Sequence, residues 1–303
     1  MRRFAWKDAN EIINRYFAKS TVKWYLSQNF TLEMTRKNEI SIQQWLDNLQ
    51  AKGVHGFSKD SLQHEIPEYS DIAVKRALSR LSTKGKIISL YKGYYLMIPP
   101  QYRSKGILPP ALYLDAFMKH LNRPYYVALL NAAAFHGASH QQPQEYYLMT
   151  NFPVLRSTQK KGQKVNYISI KEIPETLTEL RKTEAGYLKI SNAALTACDL
   201  IQFERRVGGI NRVVTVLDEL IEVIKESNFS PMLLKHVHVT TLQRLGYLLE
   251  MVLCHQELAD SLFRIMKEEN LNLFRVPLKA STKTHGFSSN NRWKVIVNTE
   301  IDS

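Results

Sequence analysis

The sequence predicts an α/β (α+β) chain, with an N-terminal winged helix-turn-helix followed by a larger mixed α/β domain. Three observations predict it. Between Ser41 and Thr83 three short apolar periodicities are each bounded by serine, glycine or proline. Two β-type segments joined by Tyr91-Lys92-Gly93 follow at once. Beyond Pro110, helix-like and strand-like segments intermix.

The first helix carries Ile42, Trp45, Leu46 and Leu49, and Gly53 ends it. Ser58 suits the N-cap of a second helix with Leu62 and Ile66, which Pro67 stops. Ser70 caps a third, and Gly85 terminates it. On this third helix Ile72, Val74, Ala77, Leu78 and Leu81 are expected inward. Lys75, Arg76, Ser79, Arg80 and Thr83 take the other face. The segments Lys86–Leu90 and Tyr94–Ile98 then form a hairpin, with Gly93 supplying the turn. In this order the third helix is the recognition helix and the hairpin is the wing.

Tyr102 to Pro110 reads as a linker. Pro110 opens a helix through Leu112, Phe117, Met118 and Leu121, and Pro124 opens another through Tyr126, Leu129, Leu130 and Ala133. Glu145–Thr150 and Val165–Ile170 are strand-like. Between them Arg156–Lys164 is a basic loop, either a second nucleic-acid contact or a solubilising tip. Helices are expected over Ser191–Arg206, from Ile210 to Ile224, over Thr240–Cys254 and over Glu257–Glu268, with a closing strand at Arg292–Asn298. The expected division is an N-terminal extension over 1–35, the winged helix over 36–100 and a second domain over 101–303. Met34, followed by Thr-Arg-Lys-Asn, reads as an alternative start.

Composition narrows the function. The 303 residues suffice for two domains, and 44% apolar with 23% charged residues argues against wholesale disorder. Lysine and arginine total 41 against 28 acids, a net charge of +13, which favours a polyanionic partner. Residues 71–105 hold eight cations against Asp71 alone, a net +7. Arginine and lysine there neutralise phosphates. Arg76 and Arg80, one turn apart, suit base edges, and Lys84, Lys86 and Lys92 suit the backbone. With Lys75, Ser79 and Tyr91 these form the expected DNA-docking surface. A merely solvated basic face is the competing reading.

No apolar run is long enough to span a bilayer and no secretory h-region is present, so a cytoplasmic protein is expected. Cys198 and Cys254 form no disulfide framework or CxxC pattern and are expected as buried thiols. The chain carries no GxGxxG, P-loop, HExxH or GxSxG motif. His136/His140 and His236/His238, the latter pair expected on a strand, lack a third metal ligand at useful spacing. Asp199 and Glu204 likewise lack metal-site spacing, so neither an enzyme, a cofactor nor a metal is expected. Gly208-Gly209 reads as a helix stop before a new helix.

Several stretches carry a resemblance: GYYLMIP, ILPP, RPYYVALLNAAAFHGA, TACDLIQFERRVGGINRVVTVLDEL, TLQRLGYLLE and NNRWKVIVNTEID. In this order, over Ser41 to Asp302, the chain resembles the AbiEi antitoxins of type IV (AbiE) toxin–antitoxin systems. The resemblance implies a winged helix that binds inverted repeats in its own promoter and represses the operon. It implies a C-terminal domain that counteracts an AbiEii-type nucleotidyltransferase toxin without a stable complex, in abortive infection against phage. The family's recognition helix falls on Asp71–Lys84 and its wing on Lys86–Met97. Its C-terminal motifs fall on Ala134–Gly137, Gly208-Gly209, Gln243–Tyr247 and Trp293–Asn298. Arg205 and Arg244, exposed-type residues in these stretches, are the candidates for antitoxic function. Two other readings stand beside it: a transcriptional regulator with an effector-binding C-terminal domain, and a nucleic-acid-modifying enzyme.

Overall fold

The computed structural model describes residues 40–138, 143–290 and 292–301. The expected N-terminal extension, His140 and Asp302 lie outside the described residues.

The first elements are α1 (Ile42–Ala51), β1 (Gly56–Ser58), α2 (Lys59–Glu65), α3 (Asp71–Thr83), β2 (Ile87–Tyr91) and β3 (Tyr94–Met97). The three strands form an antiparallel sheet in the order β1-β3-β2. This is winged-helix topology. Serines start all three helices. Ser41 and Gln44 exchange a capping box, the Ser58 hydroxyl accepts from Ser61 N at 2.9 Å, and Ser70 accepts from Ala73 N at 3.2 Å. Gly93 takes φ +76° at the hairpin turn, a conformation L residues adopt only with strain. Ile42, Leu46, Leu62, Val74, Leu78 and Leu81 pack with Phe57, Ile87 and Met97 into one core. Ile72 departs from expectation: it is 64% exposed. At 100° per residue it lies about 200° from Val74, on the far side of α3.

The remainder is built on a six-stranded mixed sheet in the order β6-β7-β5-β4-β9-β8. Its strands are β4 (Tyr125–Val127), β5 (Glu145–Asn151), β6 (Thr158–Lys160), β7 (Gln163–Ile170), β8 (Thr178–Thr183) and β9 (Gly186–Ser191). The helices are α4 (Leu114–His120), α5 (Leu129–Phe135), α6 (Ala193–Gln202), α7 (Glu204–Val207), α8 (Ile210–Leu220), α9 (Pro231–His236), α10 (Val239–Tyr247) and α11 (Gln256–Glu268). A small parallel pair, β10 (Val276–Pro277) and β11 (Val295–Ile296), closes the chain.

Strand alternation divides the sheet between two cores. Tyr126, Tyr147, Met149 and Ile168 face the helical layer. Tyr125, Val127, Leu148, Val165 and Tyr167 share a second core with α4 and with Leu90, Tyr94, Leu96 and Ile98 of the wing. The expected linker is therefore no free tether, because Leu108 within it is fully buried in that second core.

Several boundaries differ from the sequence reading. Pro124 opens a strand before a helix, because Tyr125–Val127 is buried on both faces and so shows no alternation. Pro110 starts a single 3-10 turn before α4. The helix expected over Ser191–Arg206 begins at Ala193, capped by Asn192, and breaks at Phe203. Beyond Tyr247 the helix widens into a π-helical turn, Leu248–Val252. The closing strand shrinks to two residues. Cys198 is buried as expected, but Cys254 is exposed.

Candidate nucleic-acid interface and antitoxin domain

With Val74, Leu78 and Leu81 turned to the core, Arg76, Ser79, Arg80 and Lys84 come to one side of α3. They line a groove of about 800 Å³ against Ser41 and Gln43 at the start of α1. None of the groove's lining residues is acidic. Arg76, Arg80 and Lys84 have no ion-pair partner among the described residues. Lys84 also caps the C-terminal end of α3, where the exposed carbonyls favour a cation. Two guanidinium groups one turn apart and an ammonium beyond them suit phosphates and guanine edges.

The other residues expected at this surface are held differently. Lys75 is tied to Asp71 at 2.7 Å across one helical turn. Asp71 also pairs with Lys59, and the two ammonium groups draw its carboxyl down to about 2. Lys86 is half-buried and donates to Gln43 Oε1 at 3.0 Å. Tyr91 packs edge-on against Phe117 of α4, ring centroids 5.8 Å apart. Lys92 stands exposed at the wing tip. The expected single surface is thus divided: the groove holds Arg76, Ser79, Arg80 and Lys84, and Lys92 stands alone. Ser41 and Gln43 were not anticipated there, because they reach the groove from a separate helix.

In the C-terminal part of the chain the motif Gln243–Tyr247 serves as an anchor. Gln243 is fully buried, and its amide donates to Phe274 O at 2.8 Å and Trp293 O at 2.6 Å. Gly246 lies under the fully buried Trp293: a Cβ there would meet Trp293 Cζ3 at 2.1 Å. Arg244, expected as exposed, is half-buried and donates from Nε to Pro277 O at 2.9 Å. It faces the buried Glu204, whose carboxyl is raised by burial against the pull of Arg244. Arg205, next to it on α7, is exposed as expected.

His136 caps the C-terminal end of α5 and contacts Ser191 O through Nε2 at 2.8 Å. Burial lowers its pKa, so the ring is neutral near pH 7 and donates from Nε2. His236 and His238 are not on a strand. The first ends α9 and the second is the N-cap of α10. Both line a cleft with Asp199, whose carboxyl is 5% exposed and accepts from Tyr126 Oη at 3.2 Å. Burial raises this carboxyl to about 8. Among the described residues no three His, Cys, Asp or Glu side chains are grouped to hold a metal. No helix among them is long and apolar enough to cross a membrane.

Among curated proteins none matches this sequence. A solved structure, the RV2827C protein from Mycobacterium tuberculosis, shares the fold. It superposes with a TM-score of 0.61 at 17% identity, over 84% of this chain and 90% of that one. Residues 126–251 match the family model described as the AbiEi antitoxin C-terminal domain. That span runs from Tyr126 on the central strand β4, through the buried Asp199 and Glu204, to the π-helical turn after α10. Over residues 126–251 the chain is therefore similar to the AbiEi antitoxin C-terminal domain, and this similarity supports an antitoxin role in a toxin–antitoxin system.

Proposed function

We propose that this chain is an antitoxin that also binds promoter DNA through its winged helix and represses its own operon. The observation that carries the reading is the groove on α3, where Arg76, Ser79, Arg80 and Lys84 gather without a neutralising carboxylate. Arg76 and Arg80 read base edges, Lys84 and Lys92 hold phosphates, and Lys75 and Lys86 add charge behind them. The operator is double-stranded DNA with inverted repeats. The partner is an AbiEii-type nucleotidyltransferase toxin, opposed without a stable complex, in a type IV system that defends the cytoplasm of its host against phage. Arg205, exposed on α7 beside the likewise exposed Arg206, is the side chain assigned to antitoxicity. Arg244 supports it from beneath through Glu204 and Pro277.

Gel shifts on the chain's own promoter test the DNA reading. Arg76→Ala and Arg80→Ala are each expected to weaken operator binding by about 1–3 kcal/mol and to relax specificity. Lys92→Ala is expected to weaken binding to all DNA alike and to lower the salt slope by about 1. Unchanged binding for all three variants would place the docking surface elsewhere.

A further inference from the structure

The helical face of the six-stranded sheet carries a cleft of about 660 Å³. That size is typical of small-ligand sites. It opens at the carboxyl end of β7, which runs parallel to its neighbour β5. Open α/β sheets place ligands outside the carboxyl ends of their strands.

Burial orders the lining by depth. Tyr126 and Asp199 lie deepest, 1% and 5% exposed. Gln202 adds a carboxamide. Phe203 and Met232 supply apolar surface nearer the mouth, where Met232 is 47% exposed. The exposed Lys171 and Lys235 stand at the rim with His236 and His238, against one acid, Glu172. Neither lysine forms an ion pair among the described residues.

A polar floor, an apolar wall and a cationic rim match a ligand with a hydrogen-bonding edge, a flat body and an anionic tail. We propose that this cleft binds a free nucleoside phosphate. The base lies against Phe203 and Met232, its polar edge meets Asp199 and Gln202, and the phosphates reach Lys171 and Lys235. The site belongs to the antitoxin domain and shares no residue with the α3 groove, so it stands whether or not the chain binds DNA.

Calorimetric titration of the full chain with ATP, GTP, CTP and UTP tests it. At least one is expected to bind saturably with a Kd below about 1 mM. Lys235→Glu is expected to weaken that binding at least ~10-fold, about 1.4 kcal/mol. Lys182→Glu makes the same charge change on β8, outside the cleft, and is expected to leave binding unchanged. Gln202→Ala removes an exposed carboxamide from the lining and is expected to reorder the affinities for the four bases. The proposal is overturned if none of the four binds, if Lys235→Glu has no effect, or if both lysine variants weaken binding equally.

Discussion

Gly246→Ala is expected to destabilise the protein by about 3 kcal/mol, the upper end of the cost of overpacking a core. Helix propensity alone predicts the opposite sign, since alanine is favoured over glycine in a helix interior by about 1 kcal/mol. Packing decides. A Cβ on Gly246 would sit 2.1 Å from Trp293 Cζ3 and 2.2 Å from Cη2. The ring cannot withdraw easily. Phe263 meets it edge-on with centroids 5.2 Å apart, Nε1 donates to the Glu250 carboxylate, and Arg292 lies over Phe263 at 4.5 Å. Urea denaturation would read the loss as a lower midpoint at unchanged m-value. Trp293→Ala should cost about 3–5 kcal/mol. In the double variant the two losses should fall short of their sum by at least about 1 kcal/mol, because alanine at 246 has no ring left to strike. A Gly246→Ala protein as stable as the parent would show that Trp293 is not seated on α10.

Asp199→Asn is expected to stabilise the protein increasingly as pH rises. Burial lifts the Asp199 carboxyl from 3.8 to about 8. The folded state therefore keeps a proton that the unfolded chain releases above pH 3.8. Stability contributed by this group is fully present below pH 3.8 and falls as pH rises to about 8. The slope approaches 1.4 kcal/mol per pH unit, on the order of 5 kcal/mol across the window. Asparagine keeps the shape and still accepts from Tyr126 but has no proton to lose. Variant and parent should have similar melting temperatures at the acid end of the window and diverge, with the variant higher, toward pH 8. His136 and His236, both depressed by burial, work in the opposite direction, losing stability as pH falls below 6.5. They are common to both proteins, so the difference isolates Asp199. A difference independent of pH would show that the carboxyl is ionised throughout.

Legibility in the sequence followed the density of local signals. The winged helix was readable because its punctuation is local: Ser41, Ser58 and Ser70 cap the helices, Gly85 and Gly93 carry positive φ, and Pro67 follows α2. Ile72 was misplaced because an apolar residue beside a true core position satisfies a loose helical count. The strand β4 was hidden by burial on both faces, which makes three residues of sheet read like the start of a helix. The hairpin of β8 and β9 was missed because its first strand is an edge strand with a mostly polar pattern and an exposed Leu180. The cleft draws on β4, β7, α6 and α9, so no spacing could reveal it. The one available hint was Asp199, a lone acid inside the apolar run ALTACDLI. Arg244 was mistaken for a surface residue because its carbonyl partner, Pro277, is 33 positions away.

The core shared by the wing and the six-stranded sheet limits how this protein can be taken apart. Leu90, Tyr94, Leu96 and Ile98 pack with Leu108, Phe117, Leu155 and Tyr167 as one body. The two halves are therefore not interchangeable cassettes. A winged helix from another chain, joined at residue 100, would leave the outer face of the sheet uncovered, and a fragment cut there would present that apolar face to water. The outside of α3 can be rewritten only with β2, β3 and α4 left as they are. The same continuity fixes the angle between α3 and the six-stranded sheet, so the helix cannot be re-aimed without repacking the core beneath the wing.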